Sequence, residues 1–304
     1  MPSVRSLRRA CLALFLAVLV SFAMPARLAA QDVPADYQQV LKQLNRPGDY
    51  KYGVLKVNVP RNDLSVTVRG RPLPTPFGFG GWVAFTKGHE GLDVMMGDLV
   101  LTEDEVTPVM SALLENQIAV TALHNHFFWE QPRVAYLHVH AHGRAAEIAR
   151  RLEPALKLIG RGPAGAGAAA GGGTPPALAM DTETVARIAG HQGERTGAVY
   201  KITVGRPDIN LRETGARIDA RMGLNSWASF TGSGQDAAIA GDIAMLAGEV
   251  QPVLKALRAN GLEVVALHHH MIGGEPVVYF LHYWGQGPAE KLARGFRAAL
   301  DQLP

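Results

Sequence analysis

Histidines in this chain crowd into two places. Of the 11 in the sequence, nine lie in two short windows: His124, His126, His138, His140 and His142, then His268, His269, His270 and His282. Both windows contain the spacing H-x-H-x11-H: His124, His126 and His138 in the first, His268, His270 and His282 in the second. On a strand, residues i and i+2 point to one face. A hairpin turning near Pro132 or Pro276 would carry the third histidine across from the first two. Neighbouring strands are about 4.8 Å apart, a gap that imidazoles can close around one ion. Three neutral imidazoles with an open fourth position suit catalytic zinc, and also copper, nickel or iron. The expectation is a divalent transition metal, zinc first, in one or both windows. Glu130 and Glu275 fall in the turns beside the clusters and are the candidate general acids or bases. Asp98, Asp242, Glu105 and Glu249 recur at matched positions and could lie nearby or orient the ligands. The bland alternative is that the histidines are polar groups of a packed core.

The windows belong to a larger repeat. Residues 56–82 align without a gap to 201–227, and 98–138 align to 242–282 with 17 of 41 positions identical. The spacing of the three histidines therefore persists while most of their neighbours differ. Between the copies, residues 160–177 are nearly all Gly, Ala and Pro, a composition that cannot offset its ordering entropy and reads as a tether. The organisation expected is a signal peptide at 1–30, module 1 at 31–159, the linker at 160–177 and module 2 at 178–304.

Each copy implies the same element order. A short helix comes first, at 35–45 or 181–190. Two strands follow, near 53–59 and 64–69 or 198–204 and 209–212. Trp82 and Phe85, with Trp227 and Phe230, lead into an apolar strand and read as core aromatics. Val106, Val109, Met110, Leu113 and Leu114 recur at helical spacing, with Pro108 in the first turn. A strand over 118–126, a turn holding Pro132, a strand over 134–140 and an amphipathic helix over 145–157 close the module, with a second closing helix over 289–302. The fold class is α+β: two tandem modules, each an antiparallel or mixed sheet with helices packed on one face. Whether the copies share a sheet or pack as a pseudo-dimer is open at this level.

Arg5, Arg8 and Arg9, the apolar run 10–24 and small residues at Ala26, Ala29 and Ala30 read as an export signal. The run is shorter than the roughly 20 residues of a spanning helix. The sequence carries a formal charge of +3, and losing a segment with four Arg and no acid would leave −1. The basic balance therefore implies no nucleic-acid partner. Cys11, the only cysteine, would leave with the signal, so any metal would rest on His and carboxylates. The expected location is periplasmic or secreted, with no transmembrane segment after cleavage.

The strings ALHNHFFWEQPRVAYLHVHAHG and ALHHHMIGGEPVVYFLHYWGQGP, each preceded by GD-x6-EV, resemble the LppY/LpqO family of exported bacterial proteins of unknown function. That resemblance implies export and a tandem duplication. The histidine spacing is also similar to the zinc site of acetolactate decarboxylases and of the plant-and-prokaryote-conserved domain. There, zinc on three histidines polarises a carbonyl, which implies His124, His126 and His138, or His268, His270 and His282, as ligands. A third likeness, to lysostaphin-type metallopeptidases, would instead recruit His89, Asp93, His138 and His140; the second copy has no counterpart of His89. Three functions follow: a metal-dependent enzyme on a small molecule or envelope component, a non-catalytic periplasmic metal binder, and a lysostaphin-like metallopeptidase.

Overall fold

The computed structural model describes residues 32–161 and 174–304; the proposed signal peptide and residues 162–173 of the expected linker lie outside the described residues. In the first half, α1 (Ala35–Leu44) precedes β1 (Gly48–Lys51), β2 (Val54–Pro60), β3 (Val66–Val68), β4 (Arg71–Leu73), β5 (Gly80–Lys87) and β6 (Asp93–Thr102). Helix α2 (Glu103–Glu115), β7 (Ala119–His124), β8 (Glu130–Gln131), β9 (Val134–Gly143) and α3 (Ala145–Leu156) complete it. The second half repeats the order with α4 (Thr182–Ala189), β10 (Gly193–Thr196), β11 (Val199–Gly205), β12 (Arg212–Glu213), β13 (Ala216–Arg217), β14 (Asn225–Gly232) and β15 (Ala237–Met245). Helix α5 (Val250–Ala259), β16 (Glu263–His268), β17 (Tyr279–Gly287) and α6 (Ala289–Leu300) follow.

Each half forms a six-stranded sheet, in the orders β1-β2-β5-β6-β9-β7 and β10-β11-β14-β15-β17-β16. Every strand pairing is antiparallel. The fold is thus α+β as expected, with the helices on one face of each sheet.

Alternation explains the layering. In β6, Met95, Leu99 and Leu101 join Tyr37 and Val40 of α1, Val109 of α2 and Ile148 of α3 in one core. Their neighbours Val94, Met96 and Val100 point the other way and pack with residues of the second half, among them Phe280 and Trp284. The two sheets therefore meet face to face with their helices outside, and the open question of packing resolves as a pseudo-dimer. Both faces of β6 and β15 are covered, so every residue in each is buried and the strands read as nearly continuous apolar runs.

Strands β1 and β10 were not expected; at four residues, with mostly exposed side chains, they carry no apolar pattern to reveal an edge strand. The strand expected over 118–126 ends at His124, leaving His126 in the following loop. Among the described residues, no helix is long and apolar enough to cross a membrane.

A buried ion cluster ties each sheet to its helix start. Arg61, about 1 % exposed, donates to Glu105 (2.6 Å), to the Val100 carbonyl (2.7 Å) and to Asp63. Glu105 also accepts from the Thr102 backbone N–H that begins α2. Arg206, Asp208, Glu249 and the Ala244 carbonyl repeat the arrangement. So Glu105 and Glu249 serve structure and stand away from the histidines. Replacing Arg61 with Ala leaves Glu105 buried without its cation, and a loss of about 3 kcal/mol is expected. Urea unfolding would measure it; a change below about 1 kcal/mol would contradict the assignment.

Candidate metal centre

One row of residues crosses the inner face of each sheet. In the first, Asn58, Trp82, Asp98, His138 and Ala122 stand directly opposite one another on β2, β5, β6, β9 and β7. In the second, Thr203, Trp227, Asp242, His282 and Ala266 do the same. The register sets each third histidine beside an aspartate. His124 lies opposite Tyr136, two pairs along from His138 and so on the same face, and His126 stacks on the Tyr136 ring. The second copy matches, with His268 opposite Phe280 and His270 stacked on it.

Because the sheets face one another, the two histidine sets merge. His124 stacks on His268 with centroids 3.9 Å apart, His126 lies 3.6 Å from His282, and His138 lies 4.1 Å from His270. Three groups bring one ligand atom each within 4.8 Å of one another: His124, His126 and His282; Asp242, His268 and His270; and His124, His138 and His268. The first two share no residue, and the first draws on both halves of the chain. The six histidines expected as one three-histidine set per module thus lie in a single cluster, and the groups that could hold an ion draw on both modules.

The nitrogens are disposed to bind a cation. His282 donates from Nδ1 to the Gly241 carbonyl (3.1 Å), which leaves Nε2 as an acceptor, for the hydrogen of His124 Nε2 or for a cation. That Nε2 stands 3.2 Å from His124 Nε2. Two nitrogens bound tetrahedrally at Zn–N distances near 2.0–2.1 Å would be about 3.3 Å apart. Both ring nitrogens of His126 and His268, Nε2 of His138, and Oδ1 of Asp98 and Asp242 are buried without a hydrogen-bond partner. Such atoms are rare in folded proteins, and a hydrogen-bonded polar core would not leave so many together.

Burial also keeps these rings neutral. It pushes His124, His270 and His282 down to about 3, helped by neighbouring histidines. His126, His138 and His268 are lowered for the same reason. Burial, then the charge of Asp242, pushes Asp98 up to about 8, and burial raises Asp242. Neutral imidazoles are the form that binds metal, and a nearby cation would favour the charged aspartates. Asp98 Oδ2 is 3.7 Å from His126 Nε2, and Asp242 Oδ2 is 3.6 Å from His270 Nε2.

A cavity of about 400 Å³ opens beside the cluster, reached by Asp98, His126, His138, Asp242, His270 and His282. Trp82 and Trp227 line it too, so they face this space, with Trp82 also packed against the apolar contact between the modules; Phe85 and Phe230 are fully buried in the cores. Lys56 and Lys201 also line it. Matched lysines open both copies of the 56–82 and 201–227 alignment, a signal that sequence reading passed over because lysine is normally surface decoration.

Glu130 and Glu275 do not reach the cavity. Glu130 is buried on β8, paired with Val68 of β3, its carboxyl raised by burial. Glu275 is exposed in its loop. The acids set against the histidines are Asp98 and Asp242. The peptidase-type ligand set is not assembled. Asp93 lies on the helix side of β6, accepting a hydrogen bond from Tyr37 Oη (2.7 Å) and paired with Lys87, while His138 occupies the opposite face. His89 is held at Thr214 through its backbone N–H (3.0 Å). His140 is 3.8 Å from Glu213 at the module boundary.

A family model described as Domain of Unknown Function (DUF1259) matches the chain twice, over residues 38–158 and 183–302. No curated protein matches. Matching solved structures include the trimeric bacterial microcompartment shell protein PduB (10% identity, 84% of this chain and 90% of that chain, TM-score 0.21). Another is EtuB from Clostridium kluyveri (10% identity, 84% and 90%, TM-score 0.19). At such TM-scores these alignments say nothing about what this chain does.

Proposed function

This chain belongs to the family described as Domain of Unknown Function (DUF1259), and we propose that it is a metal-dependent enzyme acting on a small molecule. Two divalent transition ions, zinc first, are held where its modules meet. One ion rests on His124, His126 and His282, the other on His268, His270 and Asp242. The observation that carries the reading is the set of buried, neutral, unpartnered imidazole nitrogens converging from both halves. The adjoining cavity favours catalysis over storage, because a storage site has no use for a chamber of about 400 Å³ beside the ligands.

Bound metal would supply Lewis acidity for a carbonyl or a lowered pKa for water. Asp98, which lines the cavity and stands 3.7 Å from His126 Nε2, is the carboxylate placed to take or return a proton. The cavity walls confine the substrate, and Trp82 and Trp227 offer it flat apolar surfaces. We further propose export to the periplasm or exterior, and kinship with the LppY/LpqO proteins, on the strength of the N-terminal sequence and the two histidine strings.

Elemental analysis of untagged protein is the direct test. About two equivalents of a transition metal are expected, falling to none in the His126→Ala/His270→Ala double variant. Absence of metal from the wild type, even after incubation with zinc and copper, would end the proposal.

A further inference from the structure

The cavity has a second chemistry on the wall away from the imidazoles. Lys56 Nζ lies 4.3 Å from the centroid of the Trp82 ring, and Lys201 Nζ lies 4.0 Å from that of Trp227. Neither ammonium has an ion-pair partner among the described residues, although both line the same space. The indole face attracts each ammonium and leaves it able to contact an anion in the cavity. Each also repels or attracts charges facing it: Lys56 feels Lys201 and Arg221 unfavourably, and Asp98 and Asp49 favourably. Burial pushes both lysines down to about 8, helped at Lys56 by Lys201 and Arg221 and opposed at Lys201 by Asp242 and Asp98, so at neutral pH both still carry charge at a desolvation cost that a bound anion would relieve.

Arg221 adds to the same wall. Its Nη2 is committed to Asp49 (3.1 Å), but its Nε is buried with no partner. Asp98, Asp242 and Glu194 line the same cavity; Asp98 and Asp242 stand against His126 and His270, at 3.7 and 3.6 Å, and none of the three forms an ion pair with Lys56 or Lys201 among the described residues. The two lysines come from equivalent positions in the two modules, so the cavity offers two cationic points, one from each side, flanked by two indole faces.

We propose that the cavity binds a small dicarboxylate, one carboxylate on Lys56 and the other on Lys201, with the carbon skeleton lying between Trp82 and Trp227 beside the histidine cluster. This rests on the preceding reading only for the reaction; the anion site itself stands on residues that hold no metal.

The test is calorimetric titration of the purified protein with malonate, succinate and glutarate, three spans between charges, and with succinamide as the uncharged control. It is run on zinc-loaded and on chelator-treated protein. At least one dicarboxylate is expected to bind both forms, and at least tenfold more tightly than the amide. Lys56→Met/Lys201→Met, which keeps the stem over the indole, is expected to weaken it at least tenfold in both forms, with folding checked by circular dichroism. Binding that resists the lysine change, or no preference over succinamide, overturns the proposal. Lysine-dependent binding by a protein that takes up no metal would remove the metal reading and leave this one. Zinc-dependent binding that ignores the lysines would do the reverse.

Discussion

A protein carrying His126→Ala together with His282→Ala is expected to lose one ion and keep the other. Both residues belong to the group that also contains His124, whereas His268, His270 and Asp242 form a separate group. Had each module held its own H-x-H…H site, the same pair of changes would damage both. Apparent zinc binding of four-ligand sites runs to about 10–16 kcal/mol, so each ligand is worth roughly 3 kcal/mol, or about 100-fold in affinity. Removing two should weaken the affected site about 10⁴-fold and leave its neighbour near its original strength. Competition against a chromophoric chelator separates the cases. Two equally weakened sites would refute ligand sharing, while one intact equivalent would establish it.

The metal-free protein is expected to be unusually sensitive to acid. His124, His270 and His282 have folded pKa values near 3 against an ordinary 6.5. Between those values the unfolded chain binds protons that the folded chain refuses, so stability falls as pH drops from 6.5 toward 3. Each such group contributes about 1.4 kcal/mol per pH unit. Asp98 works the other way: with a folded pKa near 8, it holds a proton in the folded state and recovers stability as pH falls toward 3.8. Three histidines against one aspartate leave a net loss of roughly 3 kcal/mol per pH unit; the other lowered histidines add to it, and Asp242, raised by burial, subtracts from it. Domains of this kind have about 5–15 kcal/mol in hand, so unfolding should set in within two or three units below neutrality. Urea midpoints at pH 7.0 and 5.5 on chelator-treated protein would measure the slope. A flat profile would mean that the rings are hydrated or already paired.

Much of the module was legible from sequence because its helices are amphipathic and its repeat is long. The helices at 35–44, 145–156 and 289–300 fall within a residue or two of their periodic stripes, whereas the helix at 103–115 starts three residues ahead of its stripe, which puts Pro108 inside it and not in its first turn. The site was legible in its residue types and not in its assembly. The six histidines and the matched Asp98 and Asp242 were visible as a recurring pattern. Which histidine meets which depends on the two sheets packing face to face, and alternation within one strand says only that a face is apolar, not what covers it. Glu130 and Glu275 were drawn in by nearness along the chain. The turns that carry them leave both carboxyls outside the cavity lining, whereas the strands bring Asp98 and Asp242 into register beside the third histidine from some 40 residues earlier. The lysines went unread because nothing local distinguishes one facing a chamber from one facing solvent.

His124 and His268 lie against each other near the pseudo-twofold axis, and the ligand groups cross it. Two separate copies of a single module could build the same arrangement, but every substitution in them would appear twice. Fusion into one chain removes that restriction. His140 stands beside Glu213 at the boundary, while its counterpart Trp284 is buried in the apolar contact between modules. One half can thereby keep a polar flank at the seam while the other supplies the adhesive, a division of labour that identical subunits could not sustain.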